Sequence, residues 1–412
     1  MRALITIGLM AVATMAAVAQ ESQDSDQIER GRYVSILGDC SACHTKPGGR
    51  PFAGGIALRT PFGTILASNI TPDKETGIGT WTEAEFISAV RDGRGHNGTR
   101  LYPAMPYTAY TKMSDDDVVA LRAYMRTVVP VRNRVDANQL PFPYNIRLAL
   151  AGWNLLNFRS SRFEADPTKS PDWNRGAYLV QGPGHCGTCH TPKTVIGSDK
   201  VSSALSGGVL IGWFAPSLTT DVRTGVGGWS QDEIEQYLKH GANVWTIASG
   251  PMAEVVSRST SQMTDRDVAA IALYLKQSGI TGKSSDSALI SLDEPMMRVG
   301  AILYKDNCAA CHKDNGTGER LLFPRLAGSP SVQSDNPTTL ARVVLQGARA
   351  GSTSQFPTAP AMPAFDWRLN DAQIAAVLTY IRNSWGNAAP PVSVGSIEAQ
   401  RKALATSAYR YP

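Results

Sequence analysis

The stretch Asp39-Cys40-Ser41-Ala42-Cys43-His44-Thr45 decides the fold. Its spacing returns at Cys186-Gly187-Thr188-Cys189-His190 and at Cys308-Ala309-Ala310-Cys311-His312, and these pairs use all 6 cysteines of the chain. No cysteine remains for a disulfide. Zinc also takes Cys-x-x-Cys pairs, but a tetrahedral site does not require a His fixed directly after each pair. Covalent haem attachment does. The two thiols, Cys40/Cys43, Cys186/Cys189 and Cys308/Cys311, add to the two vinyl groups and tether the haem to a small domain that would hardly bury it otherwise. The next residue, His44, His190 or His312, is then held against the iron as proximal ligand.

Around each motif the chain repeats itself. A short helix with a glycine precedes the cysteines, at Gly31, Gly176 and Gly300, followed by Tyr33, Tyr178 and Ile302. The glycine predicts a close crossing by another helix. That helix closes each copy: Ser114 to Tyr124, Thr264 to Tyr274 and Asn370 to Tyr380. Asp117, Asp267 and Gln373 stand at its third position, where Gln373 completes a capping box and the two acids complement the helix N-terminus. Between these helices lies another. Thr82 with Glu85 and Ser230 with Glu233 read as capping boxes, and Gly93, Gly241 and Gly347 as C-terminal stops. Strand-period alternation is scarce, so each copy is expected to be all-helical.

A methionine follows each stop. Met105 sits in Tyr102-Pro103-Ala104-Met105-Pro106-Tyr107 and Met362 in Pro360-Ala361-Met362-Pro363-Ala364-Phe365. The prolines fix the backbone so that a thioether can face the iron at little entropic cost. Met252, in Gly250-Pro251-Met252-Ala253, has a weaker frame. Met105, Met252 and Met362 are the expected distal ligands; Met113, Met125, Met263, Met296 and Met297 read as core filler. His96, His185 and His240 read as surface or propionate-contacting residues. Trp81 and Trp229, each after a Gly-rich turn, are candidates for packing on a haem face. His/Met ligation fills all six iron positions and raises the potential, so such a centre transfers electrons and binds no oxygen. A multi-haem peroxidase would need an open or His-switched haem, and the frames of Met105 and Met362 argue against it.

The N-terminus reads as a cleaved export signal. Arg2 precedes an uncharged apolar run, Ala3 to Val18, and Ala17-Val18-Ala19 fits a cleavage site that leaves Gln20 first. No later stretch is long enough to span a bilayer. The formal charge is +5. Two propionates per haem bring the holoprotein close to neutral, so nucleic acid is not an expected partner.

With the haem motifs, the segment Asn69-Ile70-Thr71-Pro72-Asp73 through Gly77-Ile78-Gly79-Thr80-Trp81, and Pro141-Phe142-Pro143-Tyr144-Asn145 in hand, the chain resembles a known family. It is similar over nearly its whole length to the tri-haem cytochrome c subunits of membrane-bound periplasmic dehydrogenases. These serve quinoprotein alcohol dehydrogenase and the flavoprotein gluconate, sorbitol and fructose dehydrogenases. The resemblance implies an all-α fold of three tandem cytochrome c domains with three covalently bound haem c. It also implies a chain that is not catalytic alone: a catalytic subunit of flavin, quinoprotein or molybdenum type supplies electrons, and ubiquinone or a terminal oxidase takes them. Similar cytochromes serve molybdenum-containing aldehyde and N-heterocycle dehydrogenases. The expected place is the periplasmic side of the bacterial cell membrane, with peripheral attachment.

The domain limits read as a signal peptide at 1–19, cytochrome c domains at 26–130, 172–279 and 294–388, linkers at 131–171 and 280–293, and a tail at 389–412 without an evident packed pattern. In the first linker, Ile146 to Phe158 carries Leu148, Trp153, Leu155, Leu156 and Phe158 among Arg147, Arg159 and Arg162. It reads either as an interfacial helix that docks on the membrane or the catalytic partner, or as a linker helix packed between modules.

Overall fold

The computed structural model describes residues 23–136, 138–282 and 289–405. The signal at 1–19 and part of the second linker lie outside the described residues, as does the end of the tail. The chain divides into two compact units, Met1–Glu164 and Ala165–Pro412.

In the first unit, the helix at 23–37 crosses the helix Asp115–Thr127. The contact is backbone to backbone. A Cβ on Gly31 would lie 1.9 Å from the carbonyl oxygen of Ala120 and 2.8 Å from Cβ of Tyr124. Nothing larger than glycine fits. The same crossing recurs twice in the second unit. Gly176, in Pro171–Gln181, meets Ala270 and Tyr274 in Asp265–Gln277 at 1.9 and 2.8 Å; Gly300, in Pro295–Asn307, meets Ala376 and Tyr380 in Asp371–Arg382 at 2.4 and 2.6 Å. The middle helices, Glu83–Asp92 and Gln231–His240, open on the expected capping boxes and end on Gly93 and Gly241 with φ of 62° and 73°.

Asp117 and Asp267 do more than cap. Both are buried, and each reaches back to the glycine-bearing helix. Arg30 donates to Asp117 at 2.8 Å, and Arg175 holds both carboxylate oxygens of Asp267 at 2.8 and 2.7 Å. Helix dipole and ion pair thus act on one carboxylate at the crossing.

The all-helical expectation is corrected in detail. Short antiparallel strands follow each haem motif: Ala57–Thr60 with Gly63–Leu66, to which Asn138–Gln139 adds, then Gly208–Leu210 with Trp213–Ala215, and Ala348–Arg349 with Ala361–Met362. Strands this short carry too few residues to show a two-residue period, and the pairing of Ile65 with Asn138 joins distant segments.

Within the second unit the last two repeats pack together. The Thr339 hydroxyl donates to the Phe214 carbonyl at 2.9 Å and accepts from its N–H at 2.8 Å. Buried Arg342 lies 4.7 Å over the Trp213 ring and donates to the Ile211 carbonyl at 3.1 Å. Arg325 covers Trp245 at 4.9 Å. The tail is also ordered: Val394–Ala405 is a helix that buries Ile397 and Leu404 against Leu345, Ile374 and Leu378. Arg401 fixes it through Asp371 at 2.7 Å. With so few apolar residues on one face, this helix gives a weak sequence signal.

Candidate haem sites

Each Cys-x-x-Cys-His motif closes on a single helical turn, at Cys40–His44, Gly187–His190 and Ala309–His312. Every one of the three histidines then makes the same contact. Nδ1 of His44 donates to the Ser68 carbonyl at 2.7 Å, Nδ1 of His190 to Pro216 at 2.6 Å, and Nδ1 of His312 to Pro324 at 2.9 Å. A carbonyl only accepts, so Nδ1 carries the proton and the lone pair of Nε2 is left for a metal. Burial holds the pKa of all three rings below the ordinary histidine value, against the opposing effect of these hydrogen bonds. The neutral, ligating form is the one the fold favours.

The carbonyls of Ser68, Pro216 and Pro324 are functional groups that the sequence reading missed. They share no residue type, because the backbone makes the contact. What they share is position: in the first two sites the carbonyl follows the second strand of the hairpin after the motif, closely enough that the hairpin sets the ring.

Cys40 and Cys308 border apolar core clusters, whereas Cys311 is exposed. Burial pushes the thiols of Cys40 and Cys186 up to about 12 and that of Cys308 up to about 11. Among the described residues no group of three or more His, Cys, Asp or Glu is arranged to hold a metal ion.

The methionines sort by burial. Met113, Met125, Met263 and Met297 are enclosed in the core, whereas Met296, also expected there, is exposed on the first turn of Pro295–Asn307. Met105, Met252 and Met362 are half-buried and sit at the edges of core clusters. Met105 borders the same cluster as Cys40, in a turn where its N–H meets the Tyr102 carbonyl at 3.0 Å. Met252 begins the helix Pro251–Arg258, and Met362 lies on a strand opposite Ala348. Of the remaining histidines, His96 pairs with Glu85 at 2.7 Å and stacks on Trp81, His185 turns to the Pro183 carbonyl, and His240 meets the Phe356 ring edge.

Haem fits these residues on a further count. The indole N–H groups of Trp229 and Trp245 are buried without an acceptor in the protein, as are Nε of Arg122 and one Nη of Arg382. Such donors are costly unless an acceptor reaches them, and propionates are acceptors of the right charge.

Residues 298–385 match the cytochrome c family, and residues 26–125 match the family of cytochrome c oxidase, cbb3-type, subunit III. The gluconate 2-dehydrogenase cytochrome c subunit of Pantoea cypripedii is 41% identical over 396 residues, which cover 91% of this chain and 89% of that protein. The alcohol dehydrogenase (quinone) cytochrome c subunit of Gluconobacter oxydans is 41% identical over 96% of this chain and 86% of its own length. The chain belongs to the family of dehydrogenase cytochrome c subunits. Members of this family are electron-transfer subunits of dehydrogenase complexes and are not catalytic alone; haem c, covalently bound, is the cofactor of their cytochrome c domains. A further relative, a nicotinate dehydrogenase subunit of Pseudomonas putida, is 41% identical over 88% of this chain, which covers 30% of that longer protein. Among the described residues no helix is long and apolar enough to cross a membrane.

Proposed function

We propose that the chain is a relay of three haem c in three tandem cytochrome c domains, at 26–130, 172–279 and 294–388. It passes electrons from a catalytic dehydrogenase subunit to the respiratory chain. The observation that carries this reading is the threefold recurrence of one arrangement: a Cys-x-x-Cys-His turn whose histidine is held through Nδ1 by a backbone carbonyl. The six cysteines hold the haems. His44, His190 and His312 are the proximal ligands, and Met105, Met252 and Met362 the distal ones. Bound haem c supplies a one-electron couple. The chain keeps each imidazole neutral and oriented, leaves a half-buried thioether beside each core, and offers buried N–H donors to the propionates.

The gluconate and quinone-dependent alcohol dehydrogenase relatives support a partner that oxidises an alcohol, sugar or sugar acid, with ubiquinone or a terminal oxidase as acceptor. Export by the signal at 1–19 puts the relay on the periplasmic side of the cell membrane. The nicotinate dehydrogenase relative favours a second reading, an N-heterocycle dehydrogenase of molybdenum type as partner. The test is to purify the complex through a tag on this chain and follow haem absorbance with candidate substrates. Reduction is expected with the catalytic subunit present and none with this chain alone. Reduction by the isolated chain contradicts the subunit reading.

A further inference from the structure

The helix Leu150–Asn157 and the turn Arg147–Ala149 before it wear their apolar face outward. Leu150 is buried, the Tyr107 hydroxyl donates to Asn154 at 2.7 Å, and the Phe158 ring meets Tyr107 edge-on at 5.2 Å. These contacts fix the inner face. On the outer face, Leu148, Gly152, Leu155 and Leu156 follow a helical i, i+4, i+7, i+8 pattern. Leu148 is 77% exposed, Leu155 84% and Leu156 80%. A Cβ added at Gly152 would meet nothing within 4 Å.

A cleft of about 460 Å³ runs beside this face, lined by Leu155, Asn154 and Phe158 on the helix and by Arg94, Arg100 and Asp92 opposite. Asp92 accepts from the Ser160 hydroxyl at 3.0 Å. Neither Arg94 nor Arg100 forms an ion pair among the described residues, and neither does exposed Arg159 at the helix end. The other two arginines of the segment are committed inward. Arg147 donates to the Arg100 carbonyl at 2.6 Å and covers Tyr102, and Arg162 donates to the Thr111 carbonyl at 2.9 Å.

We propose that this face is a membrane-contact surface. Leu148, Leu155 and Leu156 enter the interfacial layer of a bilayer rich in anionic phospholipid, and Arg94 and Arg100 meet its phosphates in the cleft. Charge complementarity selects the occupant: Arg94, Arg100 and Arg159 outnumber Asp92, the one carboxylate lining the cleft, and border three leucines left exposed among the described residues. A helix of 8 residues is too short to span and suited to lie in the interface plane. The inference goes beyond the electron-transfer reading and does not depend on it.

The test is flotation of the purified holo-cytochrome with vesicles of phosphatidylcholine alone or mixed with phosphatidylglycerol. The wild type is expected to float with the mixed vesicles and not with the neutral ones, and added salt should release it. L148S/L155S/L156S should stay in solution with its haem absorbance unchanged. R94Q/R100Q should bind the mixed vesicles roughly thirtyfold more weakly, at about 1 kcal/mol for each arginine. A wild type that ignores mixed vesicles, even if it still holds its catalytic subunit, overturns the proposal in favour of a protein contact. Equal flotation of either variant overturns it as well. The wild-type comparison of lipid and salt needs no variant to fold, and electron transfer in solution reports separately on the relay.

Discussion

Nδ1 of His190 donates to the carbonyl of Pro216 at 2.6 Å, and that one bond decides which nitrogen of the ring faces outward. The hairpin of Gly208–Leu210 and Trp213–Ala215 delivers the carbonyl, so the orientation of the proposed iron ligand is set by a residue 26 positions away in the chain.

Distal ligation is open to a direct test. Ferric haem with a thioether ligand shows a weak near-infrared sulfur-to-iron band. Met105→Ala, Met252→Ala and Met362→Ala should each remove about a third of its intensity and lower the potential of one centre. If the Met252 variant keeps the full band, another residue ligates that iron.

The helix crossing predicts opposite outcomes for two glycine substitutions. Gly176→Ala forces a Cβ to within 1.9 Å of the Ala270 carbonyl and should cost about 3 kcal/mol in denaturant unfolding. Gly152→Ala, on the open face of an exposed helix, should stabilise by about 0.5 kcal/mol. Equal effects would mean that the crossing is not close-packed in solution.

The Arg175–Asp267 pair ties the same two helices. Arg175→Met leaves the buried Asp267 carboxylate without its two charge-assisted bonds and should cost about 2 kcal/mol. Asp267→Asn in the same background should recover part of that loss, because a neutral amide tolerates burial better.

Asp115 predicts an acid limb. Its hydrogen bond and ion pair with the buried Arg91 hold its pKa below the ordinary value of 3.8. A depressed carboxylate contributes stability above its unfolded pKa and loses it as pH falls through the folded one. The contribution should therefore be intact above pH 3.8 and fade below it. Asp115→Asn should reduce stability at neutral pH and narrow its gap to the wild type on acidification, as read by thermal melts across pH.

Much of the site and fold is legible in the residues alone. Cys-x-x-Cys-His is a covalent motif with fixed spacing, Gly31, Gly176 and Gly300 mark backbone contacts that only glycine allows, and capping boxes are local chemistry. The unread parts have a common physical cause: they are made by the backbone or by distant residues. The carbonyls of Ser68, Pro216 and Pro324 leave no side-chain signature. The reach of Arg30 to Asp117 spans 87 residues, and the seat of Thr339 on Phe214 spans 125. Residues 148–156 read as an amphipathic segment, but only the structure tells that Leu150 is buried, that Trp153 and Phe158 are partly enclosed and that Leu148, Leu155 and Leu156 point out.

The central claim is three covalent haems on one chain, and the stoichiometry of the denatured protein tests it most directly. Protein exported in a host with haem-attachment machinery should keep its haem through denaturation, with a pyridine-haemochrome ratio of three per chain and a loss of one in each of Cys43→Ser, Cys189→Ser and Cys311→Ser. A wild-type ratio of two or fewer contradicts the account.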